Sequence, residues 1–114
     1  MSKVIVFGSL NMDLSIEAPR MPQLGETING GNFVTNPGGK GANQAVACAR
    51  MGGNVYMLGA VGGDAFGEQM RTSLEAAGVK CEHLARIEGT PTGVAVITRV
   101  GVDNCILLNA GANH

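Results

Sequence analysis

The chain has 114 residues, 45% hydrophobic and 15% charged, enough to bury one core and too apolar for disorder. A formal net charge of -1, one Tyr and no Trp exclude the basic, aromatic-studded surface of a nucleic-acid binder. No apolar stretch approaches a membrane span, so neither nucleic acid nor membrane is expected as a partner.

In chain order, Val4 to Phe7 is a continuous apolar run closed by Gly8, which predicts a buried strand of a parallel sheet. Ser9 to Asp13 is then the loop at its carboxyl end. Leu14 to Glu17 alternates and is stopped by Pro19 and Pro22, predicting a short, half-exposed strand. Thr27 to Thr35 is a weaker strand of the same kind. From Gly41 the period changes to helical, with Ala42, Ala45, Val46 and Ala49 on one face. Ala47, Cys48 and Met51 keep the other face apolar, so this helix is expected to be buried nearly all round. Gly52-Gly53 stops it.

Val55 to Val61 is the next strand, and Asp64 is placed to cap a helix with the stripe Phe66, Met70, Leu74 and Ala77. Gly78 ends that helix. His83 to Ile87 reads as a third strand. Thr92 to Val100 and Asn104 to Asn109 form a hairpin turning at Gly101-Val102-Asp103. Strand, helix, strand, helix, strand is an α/β order with a parallel core. The alternating segments, residues 14 to 36 and 92 to 109, do not belong in that core and fit a separate small sheet.

Cys48, Cys81 and Cys105 are odd in number and widely spaced, which matches neither a disulfide framework nor a metal site. Reduced thiols fit a cytoplasmic setting. The apolar run at Val4 is too short for a signal peptide. His83 and His114 lack partners at catalytic or metal spacing.

Two places could carry chemistry. Asn11 and Asp13 follow the first strand, where ligands of open α/β sheets lie. An ionised Asp accepts and an Asn both donates and accepts, so the pair can read sugar hydroxyls or, more simply, close an Asx-turn. The second place is Asn36-Pro37-Gly38-Gly39-Lys40-Gly41-Ala42-Asn43-Gln44, a glycine loop running into a helix. It is either a tight turn or a ligand cradle, with backbone N–H groups, Lys40 and Asn43 projecting into one volume. Gly41 after the lysine rules out a Walker A loop, and Gln44 breaks the dinucleotide fingerprint.

Taken together, Gly8-Ser9-Leu10-Asn11-Met12-Asp13, Gly25-Glu26-Thr27 and Pro37 to Ala45 resemble the N-terminal part of the PfkB carbohydrate kinases, nearest their ribokinase branch. Gly62 to Gly67, Thr92 to Ala95 and Asn109 to Asn113 extend the match in order. The resemblance implies a Rossmann-like (ribokinase-like) parallel sheet with helices on both faces and a small β-sheet lid. It further implies a sugar held by Asn11, Asp13, Gly39, Lys40 and Asn43, with Ile106 on its apolar side. ATP and Mg²⁺ are implied as cofactors of the full-length kinase, and a homodimer through the lid. In the family the anion-hole glycines and catalytic Asp form a Gly-Ala-Gly-Asp motif in the C-terminal half, with the nucleotide loops and a metal-site Glu. This sequence stops at His114 without that motif. A sugar-binding but catalytically incomplete N-terminal portion is therefore the expectation, with no catalytic residue, metal site or ATP site of its own. A non-catalytic sugar-binding or dimerisation module, or a portion of a kinase for another sugar or nucleoside, uses the same residues.

Overall fold

The computed structural model describes residues 3–113. The chain runs β1 (Lys3–Phe7), β2 (Asn11–Glu17), β3 (Gly31–Gly38), α1 (Lys40–Arg50) and β4 (Asn54–Gly62). It continues through α2 (Ala65–Ala76), β5 (Leu84–Ile87), β6 (Gly93–Val100) and β7 (Asp103–Asn109) to a 3₁₀ turn at Gly111–Asn113.

The body is a parallel sheet in the order β1-β4-β5. On the central strand, Val55, Met57 and Val61 point to one face and are buried against α1 and α2. Val6, Ala42, Ala45, Met70 and Leu74 belong to the same cluster. Each large side chain fully buried there contributes roughly 1.5–3 kcal/mol. The expected cap of α2 is present, with the Gly67 N–H donating to Asp64 Oδ1 at 2.9 Å.

The two alternating segments do join as one sheet, in the order β3-β2-β6-β7. Its outer pairs are antiparallel, and its central pair, β2 with β6, is parallel from Asn11↔Gly93 to Glu17↔Arg99. This is the lid.

Three local expectations are revised. Asn11 and Asp13 are not in a loop: they open β2, because the polar/apolar alternation starts at Asn11. The second lid strand runs Gly31–Gly38 rather than Thr27 to Thr35, so Asn36, Pro37 and Gly38 are strand and only Gly39 separates it from α1. Pro37 is tolerated because β3 is an edge strand, where a missing N–H costs no ladder bond. Helix α1 is not buried all round: Gly41, Ala42 and Ala45 are buried, whereas Ala47 and Met51 are exposed. Helices α1 and α2 share the core on one face of the body sheet, and the opposite face leaves Ile5 and Phe7 exposed at 61% and 82%.

Glycine brings α1 against the end of β1. A Cβ on Gly41 would stand 2.6 Å from the Gly8 carbonyl carbon and 2.7 Å from its Cα, both backbone atoms with no room to yield. Gly41→Ala should therefore destabilise by about 1–3 kcal/mol, although Ala is otherwise the better helix former by about 1 kcal/mol. Thermal unfolding of the full-length protein checks the sign; a raised Tm would mean this backbone contact is dispensable.

Candidate functional site

Body and lid meet where β1 hands over to β2 and β3 to α1. Leu10 is wholly buried at the first crossing, which fixes the direction in which β2 leaves. Asn11 and Asp13, two residues apart on that strand, point to the same face of the lid. At the second crossing Gly39 has φ +97°, a left-handed conformation that glycine adopts without penalty. A Cβ there would also come within 2.6 Å of the Ser9 carbonyl oxygen.

Asp13 is the electrostatic centre of this junction. Its carboxylate lies over Gly38, in the space a side chain at that position would need. It is half-buried, and its oxygens accept no hydrogen bond among the described residues. Desolvation by burial raises its pKa above the ordinary aspartate value. A partly dehydrated carboxylate without donors is costly to the fold, and it is an acceptor held ready for hydroxyl protons.

Next to it, α1 begins with no side-chain cap. The Ala42 N–H is taken by the Ser9 carbonyl at 3.1 Å and the Asn43 N–H by the Gly39 carbonyl at 2.9 Å. The positive end of the helix dipole therefore faces the junction without a carboxylate or hydroxyl of its own. Lys40 and Asn43 are exposed on this first turn. Asn43 borders a hollow of about 350 Å³ together with Asn36, Pro37 and Arg50. Asn11 borders a different one, about 280 Å³, with Ser9, Leu108, Asn109, Ala110 and Asn113. Ile106 pairs with Ile97, which is level with Ser15 of β2. The alternation thus puts Ile106 on the Asn11–Asp13 face, two strands away and half exposed.

The structure so brings Asn11, Asp13 and Ile106 to one lid face and sets Gly39 and Lys40 at the junction. No direct hydrogen bond links Lys40 or Asn43 to Asn11 or Asp13 among the described residues. Two residues that sequence reasoning gave no role are prominent here. Thr92, 1% exposed, donates through its N–H and its hydroxyl to Asp64, and its hydroxyl accepts from the Gly62 N–H at 2.9 Å. Asn113 clasps Leu10 and touches Asn11. Thr92 and Asn113 lie in stretches the family pattern includes, but a lone Thr or Asn carries no local signal of a tertiary contact.

Among the described residues no three His, Cys, Asp or Glu side chains gather to hold a metal ion, and no helix is long and apolar enough to cross a membrane. Burial pushes the Cys81 thiol up, away from the reactive thiolate.

The pfkB family carbohydrate kinase model matches residues 1–114. The chain is 48% identical over 115 residues to the ribokinase of Lactococcus lactis, covering 100% of this chain and 38% of that protein. It is 43% identical over 113 residues to the ribokinase of Bacillus subtilis, covering 99% of this chain and 39% of that one. The structure of Arabidopsis thaliana ribokinase complexed with ribose and ATP superposes with a TM-score of 0.88 at 37% identity, over 96% of this chain and 36% of that chain. The chain spans less than two fifths of the length of these relatives. A family match that runs the whole length, on a fold shared with a solved ribokinase, leads to one assignment: the chain belongs to the pfkB family of carbohydrate kinases.

Proposed function

We propose that this chain is the sugar-binding portion of an ATP-dependent, ribokinase-like kinase. The full-length protein would move the γ-phosphoryl group of ATP to a primary hydroxyl of ribose or a related sugar. The observation that carries the reading is the donor-free, partly dehydrated carboxylate of Asp13 beside an uncapped helix start. A sugar satisfies both at once, since its hydroxyls donate to the carboxylate and its oxygens accept from N–H groups.

In this reading Asp13 accepts from sugar hydroxyls, and Asn11 donates to a neighbouring one. Gly39 lets the backbone come close, Lys40 and Asn43 reach over the first turn of α1, and Ile106 covers the apolar side of the ring. ATP enters the proposed activity through the ribokinase solved with ribose and ATP, and Mg²⁺ through the family resemblance alone; bound, they would supply the phosphoryl group and its charge neutralisation. No residue set described in this chain fits either one, and no transfer step is assigned to it. What these residues contribute is orientation, on which phosphoryl transfer depends heavily. Incubating the full-length protein with ribose and ATP should yield ribose phosphate and ADP. No turnover, with ribose still bound, would favour a non-catalytic binding module.

A homodimer through the lid belongs to the same proposal. On the lid face opposite Asn11 and Asp13, Phe33 and Leu107 are exposed at 60% and 75%, and Val96 lies between them. Leu107→Asp should convert a dimer to a monomer in sedimentation equilibrium of the full-length protein. An unchanged mass for that variant would place any self-association elsewhere.

A further inference from the structure

We infer that Asn113 is a positioning residue that sets which end of the Asn11 side-chain amide faces the sugar. The inference rests on the reading of Asn11 as a sugar ligand and adds to it a device for donor and acceptor selectivity. The polarity starts at the backbone of Leu10. Its N–H can only donate, so the Asn113 atom 2.9 Å away is the acceptor, Oδ1. Its carbonyl can only accept, so the Asn113 atom 2.8 Å away is Nδ2. The second proton of that NH2 group goes to Asn11, again at 2.8 Å, and the atom receiving it must be Oδ1. With its oxygen so engaged, Asn11 is left with its Nδ2 free: no hydrogen bond is made by that group among the described residues.

Buried Leu10 is the fixed reference, and each amide in turn is denied the opposite flip. A flipped Asn113 would face an N–H with N–H and a carbonyl with a carbonyl, leaving both Leu10 groups unpaired in a buried place. A flipped Asn11 would set NH2 against NH2. Gly93 completes the arrangement, because a Cβ there would fall on both Asn113 Nδ2 and Asn11 Oδ1. The two amides meet only over a residue without a side chain. Both asparagines border the 280 Å³ hollow at the lid root, so a sugar oxygen arriving there meets a donor. Asp13, two residues on, supplies only an acceptor. The site therefore presents a fixed donor and a fixed acceptor side by side, and distinguishes a hydroxyl used as acceptor from one used as donor.

The test uses Asn113→Asp in the full-length protein, with ribose and singly fluorinated riboses titrated by calorimetry. Fluorine replaces a hydroxyl by a weak acceptor that cannot donate. The introduced carboxylate still accepts from the Leu10 N–H but turns oxygen toward Asn11, whose NH2 then swings to meet it. Its carbonyl now faces the hollow. Ribose affinity should fall tenfold or more, and at one ring position the fluorine penalty, small in the wild type, should grow at least fivefold. Gly93→Ala, whose Cβ would displace Asn113 Nδ2 and Asn11 Oδ1 and so part the two amides, should raise the same penalty if the first variant does not fold. A folded Asn113→Asp protein with an unchanged fluorine profile would reduce Asn113 to a structural clasp and overturn the inference. Asn11→Ala separates the two levels of argument: unchanged ribose affinity there removes Asn11 from the sugar site altogether, and the relay with it.

Discussion

Asp13→Ala in the full-length protein is expected to weaken ribose binding at least 100-fold while leaving thermal stability unchanged or raised. Each hydrogen bond to a charged group is worth about 1.5–3 kcal/mol, and a carboxylate reading two hydroxyls therefore accounts for about 10² to 10⁴ in affinity. The stability arm follows from the opposite sign of the fold's own account. Desolvation raises the Asp13 pKa above its unfolded value, so this carboxyl favours the folded state at low pH and loses that contribution as pH rises through its raised pKa. At neutral pH the ionised group accepts no hydrogen bond among the described residues, and the positive end of α1 offsets its desolvation only in part, so its removal relieves a net cost. Function and stability should part company at this residue, as they do at sites kept for binding. Ribose affinity of the wild type should also decline as pH falls into the carboxylate range, because the protonated group cannot accept from two hydroxyls. Calorimetry across pH and a melting curve check both arms; a variant with normal affinity returns Asp13 to a purely structural position.

Asp64→Ala is expected to be the most damaging single change outside the core. The carboxylate accepts from the Gly67 N–H at 2.9 Å, from the Thr92 N–H at 2.9 Å and from the Thr92 hydroxyl. It thereby caps α2 and ties the body to the first residue before β6. Losing the cap costs about 1 kcal/mol, and each Thr92 donor left buried without an acceptor costs about 1–3 kcal/mol. Together that is roughly 3–7 kcal/mol, which in a protein of kinase length lowers Tm by about 5–10 °C. Burial alone would raise the Asp64 pKa, but the bonds from Thr92 and Gly67 outweigh it and hold the carboxyl below its ordinary value. A folded pKa below the unfolded one gives stability that is present above the unfolded value and lost as pH falls through the folded one. The difference between wild type and Asp64→Ala should accordingly shrink in acid. Chemical denaturation at neutral and acid pH measures this, and a variant as stable as wild type would mean that other contacts hold the lid root.

The sequence was most legible where one period dominates. Val4 to Phe7 and Val55 to Val61 are uniform enough to read as parallel strands, and the stripe from Phe66 to Leu74 with Asp64 before it marks α2 to within a residue. It was least legible at the lid root, where local and tertiary signals conflict. Gly8 announces the end of β1, which hides the fact that Asn11 to Glu17 already alternates as a strand. Pro37 and the Gly38-Gly39 pair make Asn36 to Gly38 read as loop, although the edge position of β3 excuses Pro37 and the Asp13 carboxylate requires Gly38. The parallel pairing of β2 with β6 joins segments far apart in the chain, and no local pattern encodes it. Nor does anything near Asn113 reveal that its partner is the backbone of Leu10. Asn11 and Asp13 were legible as a strand-end pair, and Lys40 and Asn43 as part of a glycine loop entering a helix; the family pattern joined them into one sugar site with Gly39 and alone supplied Ile106. The geometry adds the reason Asp13 suits sugar hydroxyls, since its donors are missing and its water is partly gone.

The central claim is that a sugar is held on the Asn11–Asp13 face of β2, against the start of α1. A crystal structure of the full-length protein with ribose tests it most directly. Ribose hydroxyl oxygens should lie within hydrogen-bond distance, about 2.5–3.2 Å, of the Asp13 carboxylate and of Asn11 Nδ2. Ribose bound at another place, with the Asp13 carboxylate touching no hydroxyl, would contradict it.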